Sequence, residues 1–200
     1  MFDLTLPPQE ETFLRNQYSS AQVILEYGSG GSTFLALELN VSSKIYACET
    51  DKEWLSGLCA EIEKRGFSER FTPIFCDVGP TRVWGNPCFD ERGTDLQRMN
   101  LFMNYSIRPW RVLRQNEESP TIILIDGRFR VACFLTALSF IKANCLVLFD
   151  DYTDRFHYHC VEEFIKPTIK IGRMAVFNVR PGMISAADYL LANRYLLDWR

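Results

Sequence analysis

The sequence lacks any long apolar run. The longest uninterrupted runs, such as Cys145–Phe149, are five residues long, far short of the roughly 20 that a membrane-spanning helix needs. Residues 1–11 are acidic and show no basic cluster followed by an apolar stretch, so we predict no signal peptide. These absences predict a protein without a membrane partner.

The sequence also lacks a net positive charge and a regular spacing of its cysteines, and it has only two histidines. The net charge is −3, which gives no electrostatic footprint for a nucleic-acid backbone, so we predict no nucleic-acid partner. The seven cysteines form no C-x-x-C pair and several stand in apolar patterns, which predicts reduced thiols and a cytoplasmic location. No G-x-x-x-x-G-K-[ST] segment is present, so the chain is not a P-loop nucleotide hydrolase.

The chain alternates short apolar segments with helical patterns and shows no linker, so we predict one domain over residues 1–200. Residues 1–21 would form an N-terminal helical extension. Alternation of this kind predicts an α/β fold, a Rossmann-like αβα sandwich around a mostly parallel sheet. The predicted strands are 23–27, 44–48, 71–76, 122–125, 145–149, 168–171 and 174–179, and the predicted helices are 8–18, 33–39, 52–65, 105–114, 130–142 and 186–199.

Two features modify this plan. Only Gly172 and Arg173 separate the last two predicted strands, so these must pair antiparallel and the expected strand order is 3-2-1-4-5-7-6. Residues 78–104 show no clear periodicity. They follow the third strand and so would form a variable loop on the substrate side of the sheet.

The strongest motif is V-I-L-E-Y-G-S-G-G-S-T, residues 23–33. A buried strand runs into a glycine turn and then a helix, an arrangement that lets backbone approach a ligand. A turn that binds nothing is the alternative. A dinucleotide site would place a third glycine where Thr33 stands, and its pyrophosphate would gain nothing from Glu26.

This segment resembles motif I of class I S-adenosylmethionine-dependent methyltransferases, E/D-x-G-x-G, and the resemblance extends over about residues 22 to 180. It implies a site for the cationic methionine end of S-adenosylmethionine. The residues that it implies there are Glu26, Gly28, Gly30, Gly31 and Ser32, with Asp126 close to the transferable methyl group.

The next two strand ends extend this site. Glu49 ends the second strand, where a carboxylate can accept both ribose hydroxyls, a feature that dinucleotide sites share. By the family resemblance, Asp77 and Val78 after the third strand lie near the adenine. A solvent-facing turn is the alternative for Asp77.

Three aspartates follow the fourth and fifth strands: Asp126, Asp150 and Asp151. Neighbouring parallel strand ends lie about 4.8 Å apart, so these carboxylates would crowd one rim and could hold Mg²⁺. The layout resembles metal-dependent small-molecule O-methyltransferases of the catechol and caffeoyl-CoA type, although Asp151 stands where those carry Asn. It is also similar to uncharacterised bacterial methyltransferase-like proteins. Capping of helices or strands is the alternative.

Candidates for catalysis are Asp126, Asp150 and His157, one of which would serve as base. His157 could equally lie on the surface. Arg128, beside Asp126, could bind an anionic substrate. Four aromatic residues could line an acceptor pocket or belong to the core: Trp84, Phe89, Tyr105 and Trp110.

The sequence therefore predicts methyl transfer from S-adenosylmethionine to a small molecule, with or without Mg²⁺. It has no Asn-Pro-Pro-Tyr or Asp-Pro-Pro-Tyr at the fourth strand, which argues against methylation of DNA base amino groups. Two alternatives stay open: a non-catalytic S-adenosylmethionine-binding module and a nicotinamide-dependent reductase. A homo-oligomer is compatible with the sequence.

Overall fold

A computed structural model describes residues 2–88 and 96–198 of the chain. The strands are β1 (Val23–Tyr27), β2 (Lys44–Glu49), β3 (Phe71–Phe75), β4 (Ile122–Ile125), β5 (Cys145–Phe149), β6 (Ile169–Ile171) and β7 (Met174–Val179). The α-helices are α1 (Pro8–Tyr18), α2 (Gly31–Leu39), α3 (Lys52–Lys64), α4 (Leu96–Gln115), α5 (Arg130–Phe140) and α6 (Ala186–Ala192). Short 3₁₀ helices cover Ser68–Arg70, Val83–Gly85, Phe156–Glu163 and Asn193–Tyr195.

The strands form one sheet in the order β3-β2-β1-β4-β5-β7-β6, as predicted. Strands β1 to β5 pair parallel, and β7 runs antiparallel to both β5 and β6. The strand order reverses between β1 and β4, and ligands of open α/β sheets bind at the carboxyl ends of such a switch point. This edge is therefore where the candidate site residues are expected to meet.

Both faces of the sheet are covered by apolar helix surfaces. On one face, α4 and α5 pack Tyr105, Trp110 and Phe134 against the strands. On the other face, α1, α2 and α3 contribute Leu14, Leu35 and Leu58. Strands β1 and β4 are buried along their whole length, as expected for central parallel strands with helices on both sides.

Two predicted element bounds, the start of the fourth helix and the end of the last helix, differ from the structure by more than a helical turn. Helix α4 begins at Leu96, so the last nine residues of the predicted 78–104 loop are helical. Only Phe102 is buried in the first two turns of α4, which explains why the apolar periodicity was faint there. Residues 79–88 do form a loop, with a bridge between Thr81 and Pro87, and residues 89–95 of the predicted loop lie outside the described residues.

The final helix is shorter than the predicted 186–199. The predicted capping box between Ser185 and Asp188 is present, but α6 ends at Ala192 and a 3₁₀ turn follows. Ala192 is the one buried residue of α6, so little tertiary packing supports a longer helix. Trp199 lies outside the described residues. Within residues 2–88 and 96–198, no helix has the length and apolar character needed to cross a membrane.

Candidate active site

The glycine turn after β1 lies directly against the turn after β4. Gly28 has a φ of +96°, and a Cβ atom there would stand 3.0 Å from the backbone nitrogen of Gly127. A side chain at position 28 would therefore be strained and would push the two turns apart. The structure thus brings the motif I turn next to the turn that carries Asp126.

Glu26 is fully buried and occupied by hydrogen bonds within the protein. The Tyr18 hydroxyl donates to Oε1 at 2.9 Å and the Thr33 hydroxyl donates to Oε2 at 2.5 Å. Thr33 Oγ1 also accepts from the backbone nitrogen of Gly30 at 3.1 Å. Burial raises the pKa of Glu26, and these hydrogen bonds together with one from Ser32 oppose that rise. In this arrangement Glu26 shapes the glycine turn, and its contact with a cofactor stays a prediction.

Gly31, the first residue of α2, lies against the N-terminal segment. A Cβ atom there would stand 2.4 Å from the backbone nitrogen of Leu4, so only glycine lets the segment pass. Phe2 packs between Phe34 and Trp54, with ring centroids 5.6 and 4.8 Å apart respectively. The close approach of Leu4 explains why glycine is required at position 31, which the sequence did not reveal. The predicted contact of Gly31 with a cofactor stays a prediction.

Glu49 ends β2 with its carboxylate held by polar groups. Oε1 accepts from the backbone nitrogens of Thr50 at 2.7 Å and Asp51 at 3.2 Å, and Oε2 accepts from Ser29 Oγ at 3.4 Å. Burial raises the pKa of Glu49. No ion pair to it occurs among the described residues, so the carboxylate is oriented but carries no counter-charge.

The segment after β3 lies beside Glu49. Asp77 is exposed and accepts from the backbone nitrogen of Gly79 at 2.8 Å, the turn that the alternative reading of Asp77 predicted. Val78 packs into the apolar core, and its predicted place near the adenine stays a prediction. The Thr50 hydroxyl donates to the carbonyl of Gly85 at 3.5 Å, so the 79–88 loop contacts the end of β2.

The three predicted aspartates do meet at the ends of β4 and β5. One oxygen of each lies within 4.8 Å of the others. The Asp126 side chain sits deep between neighbouring elements but keeps 39% of its surface open to solvent, whereas those of Asp150 and Asp151 are almost fully enclosed. The fourth strand and the fifth strand thus bring together the carboxylates that sequence spacing singled out.

Arginines neutralise this cluster, which the sequence did not predict. Buried Arg130 pairs with Asp126 at 3.0 Å and with Asp151 at 3.2 Å. Arg155 and Arg173 each reach Asp151 at 2.8 Å, and Arg173 lies 3.8 Å from Asp150. The one available signal was spacing, because Arg130 follows Asp126 by four residues and Arg155 follows Asp151 by four.

Glu10 of α1 joins the cluster from the N-terminal extension. It is fully buried and accepts from the backbone nitrogen of Arg173 at 2.7 Å. Burial raises the pKa of Glu10. One oxygen of Glu10 and Oδ1 of Asp150 are buried without a hydrogen-bond partner among the described residues. The extension therefore fastens to the β6–β7 turn beside the aspartates.

The surroundings of Asp126 change its acidity. Burial raises its pKa to about 7, Arg130 opposes the rise, and the carboxylates of Asp150 and Asp151 add to it. A carboxyl group with this pKa and an accessible face can exchange a proton near neutral pH. Asp126 is thus the aspartate of the three best placed to meet a ligand.

The remaining candidates fall in three different places. His157 is exposed, with its ring 4.3 Å from that of Tyr158. Tyr105 and Trp110 belong to the buried core. Phe89 and the side chain of Trp84 lie outside the described residues.

Arg128 lies between the β4 turn and the 79–88 loop. Its Nη1 donates to Oδ1 of Asn86 at 3.0 Å, and its Nε is buried without a partner among the described residues. Burial lowers the pKa of Arg128, and the charge of Arg130 lowers it further. Arg128 thus differs from Arg130, which pairs with two carboxylates.

Known proteins were compared with this chain. No protein-family model matches the sequence, and no curated protein matches it. A methyltransferase from Geobacter sulfurreducens is 11% identical over 88% of this chain and 80% of its own, with a TM-score of 0.57. An RNA methyltransferase from Salinibacter ruber, in complex with S-adenosyl-L-homocysteine, is 12% identical over 92% and 97%, with a TM-score of 0.53. These two likenesses show the fold alone.

A third solved structure is much more similar. The crystal structure of a methyltransferase-like protein from Silicibacter pomeroyi DSS-3 is 35% identical to this chain, covers 98% of it and 97% of its own length, and superposes with a TM-score of 0.85. The strand order agrees with that relationship. The chain therefore belongs to the methyltransferase-like proteins of the class I S-adenosylmethionine-dependent methyltransferase superfamily.

Proposed function

We propose that this protein transfers the methyl group of S-adenosylmethionine to a small molecule at the carboxyl ends of β1, β2 and β4. The observation that carries the proposal is Glu49. Its carboxylate is oriented by Thr50 and Asp51, lacks a counter-charge among the described residues and stands beside the motif I turn through Ser29. The solved structure of the Salinibacter ruber protein contains S-adenosyl-L-homocysteine, the product form of this cofactor.

Each part of the turn has a task in this proposal. Glu49 accepts the ribose hydroxyls, and the backbone of Gly28 to Gly30 faces the methionine end. Glu26 acts through Thr33, which holds the Gly30 nitrogen and so keeps the turn in one shape. When bound, S-adenosylmethionine supplies a methyl group that bonds to the acceptor atom as its bond to sulfur breaks and the electron pair stays on sulfur.

In this proposal, Asp126 takes the acceptor proton. It combines an open face with a pKa near neutrality, whereas Asp150 is enclosed. Asp150 then acts on Asp126 through its charge, and His157 stands as the alternative base. Methyl transfer by in-line displacement otherwise needs positioning, which the rigid turns after β1 and β4 supply.

The donor set does not fit a divalent cation in its present arrangement. Mg²⁺ needs carboxylate oxygens that face it without competing cations, but Arg130, Arg155 and Arg173 already engage the three aspartates. One oxygen, Oδ1 of Asp150, is buried and unpartnered among the described residues. We therefore propose transfer without Mg²⁺, and the metal-assisted version predicted from the sequence is the competing hypothesis.

Two further expectations accompany this proposal. The acidic net charge favours a small-molecule acceptor over nucleic acid. All seven cysteines are free thiols, including Cys48 and Cys76 whose sulfurs lie 3.2 Å apart, which favours a reducing compartment such as the cytoplasm.

Calorimetric titration tests the cofactor. S-adenosylhomocysteine should bind, and NADH should not bind. Binding of NADH alone would support the nicotinamide-dependent reductase and overturn the proposal. Binding of S-adenosylhomocysteine without turnover of any acceptor in a broad panel, assayed with methyl-labelled S-adenosylmethionine, would favour the non-catalytic binding module instead.

A further inference from the structure

The charges at the carboxyl edge of the sheet are compensated unevenly. Arg130, Arg155 and Arg173 are all committed to carboxylates. Arg128 is not, because its one side-chain hydrogen bond among the described residues goes to the neutral amide oxygen of Asn86. A half-buried guanidinium that has only a neutral partner is the feature that needs a physical explanation.

Arg128 lies at the site rather than elsewhere on the surface. It is two residues from Asp126, so their Cα atoms are no more than about 7 Å apart. Gly127, which lies between them, contacts Gly28 in the glycine turn after β1. Asn86 belongs to the 79–88 loop, which contacts the end of β2 at Thr50. A small molecule that contacts Asp126 is therefore long enough to reach the Arg128 guanidinium as well.

The chemistry of Arg128 selects a particular kind of ligand. Guanidinium groups bind carboxylates and phosphates through charge-assisted hydrogen bonds that are stronger than those to neutral groups. The Asn86 amide oxygen is a weaker neutral acceptor that an anion would replace. A lone cation near the surface would be solvated instead, but Nε of Arg128 is buried and without a partner among the described residues.

We propose that Arg128 binds an anionic group of the methyl acceptor, so that the acceptor is a small carboxylate or phosphate carrying its nucleophilic atom a few bonds away. This inference rests on the proposed function, since it assigns the acceptor of that same site. It makes Arg128 a specificity-determining residue, while Asp126 handles the proton.

The test uses matched probes on the full-length protein loaded with S-adenosylhomocysteine. Benzoate and benzamide have the same shape and differ in charge, and phenyl phosphate distinguishes a phosphate from a carboxylate. The side-chain Nε–H resonance of Arg128, assigned by its loss in Arg128→Gln, reports directly on the guanidinium. We expect one of the two anions to shift this resonance and benzamide to leave it in place.

Affinities of the variants complete the test. Arg128→Gln should weaken binding of the anion at least about tenfold, and Arg128→Lys should retain part of it. Arg108→Gln, the same charge change on the exposed face of α4, should leave it unchanged. Both Gln variants should bind S-adenosylhomocysteine as the unmodified protein does.

The failures are distinguishable. If S-adenosylhomocysteine does not bind the unmodified protein, the proposed function fails. If it binds, but benzoate and phenyl phosphate bind no better than benzamide or bind Arg128→Gln equally well, the anionic acceptor is overturned and the methyltransferase assignment stands.

Discussion

The two halves of the carboxyl edge treat their acidic residues differently. At the β1–β2 end, Glu26 and Glu49 are held by hydroxyls and backbone nitrogens, and no cation pairs with them among the described residues. At the β4–β5 end, arginines engage Asp126, Asp150 and Asp151. Among the described residues, the carboxylates of the first end therefore have no counter-charge, whereas those of the second end are already neutralised.

This difference bears on which ligand each end can take. A buried carboxylate without a counter-charge is destabilised unless a cation or strong donor approaches it. Under the proposed function, Glu49 meets that condition through the ribose hydroxyls of S-adenosylmethionine. Carboxylates paired with arginines gain less from a metal ion, because binding would cost the existing pairs.

Removing an arginine from the β4–β5 end should have the largest effect on stability. Arg130→Met would leave Asp126 and Asp151 short of their buried partner and free the carbonyls of Gly127 and Asp150 that Arg130 binds. We expect a loss of about 3–5 kcal/mol in the free energy of unfolding, measured by urea denaturation. Arg111→Met on the exposed face of α4 is the control. A loss equal to that of the control would show that the aspartates do not depend on Arg130.

Substitution of Glu49 at the β1–β2 end should affect cofactor binding rather than folding. Glu49→Ala removes an acceptor for two ribose hydroxyls, each such bond being worth about 1.5–3 kcal/mol. Affinity for S-adenosylhomocysteine should fall at least about a hundredfold by calorimetry. Glu53→Ala, an exposed glutamate of α3, should leave it unchanged. Equal affinity of the two variants would remove Glu49 from the cofactor site.

The acidity of Asp126 predicts that activity depends on pH. Because burial raises its pKa to about 7, the base form is lost as pH falls, and kcat/KM should drop about tenfold per pH unit below that value. Asp126→Asn should abolish this acidic limb along with most of the activity. A profile that is flat from pH 5 to 8 in the unmodified enzyme would assign the base elsewhere, with His157→Gln as the next variant to measure.

The same raised pKa has a consequence for stability. The folded protein holds the Asp126 proton at pH values where the unfolded chain has released it, so this group stabilises the fold below its ordinary pKa. That contribution is lost as pH rises through about 7. Urea denaturation of the unmodified protein and of Asp126→Asn from pH 4 to 8 should show a smaller decline in the variant.

The smallest effect expected is that of Mg²⁺. If arginines take the place of a cation at the β4–β5 end, millimolar Mg²⁺ or a chelator should move the melting temperature by less than about 1 °C and leave activity unchanged. Activity that disappears with chelator and returns with Mg²⁺ would support the metal-assisted hypothesis and require the arginine pairs to rearrange.

Local pattern was enough for the architecture and for the positions of the acidic residues. The alternation of apolar segments and helical patterns fixed the order of elements, and the two-residue link at Gly172-Arg173 fixed the antiparallel β7. Strand ends then placed Glu49 and the three aspartates at one edge, because the carboxyl ends of parallel strands meet there. The start of α4 and the end of α6 were not predicted correctly, because few residues there are buried and the apolar periodicity is therefore weak.

Only the tertiary structure decided what those residues contact. Glu10 and Arg173 are 163 positions apart, and Tyr18 reaches Glu26 from a different element, so no local spacing could pair them. The sequence by itself determined that three aspartates share a rim. Whether that rim is anionic or neutral depends on arginines brought in from α5, the segment after β5 and the β6–β7 turn, because charge compensation is a property of distance in space and not of distance along the chain.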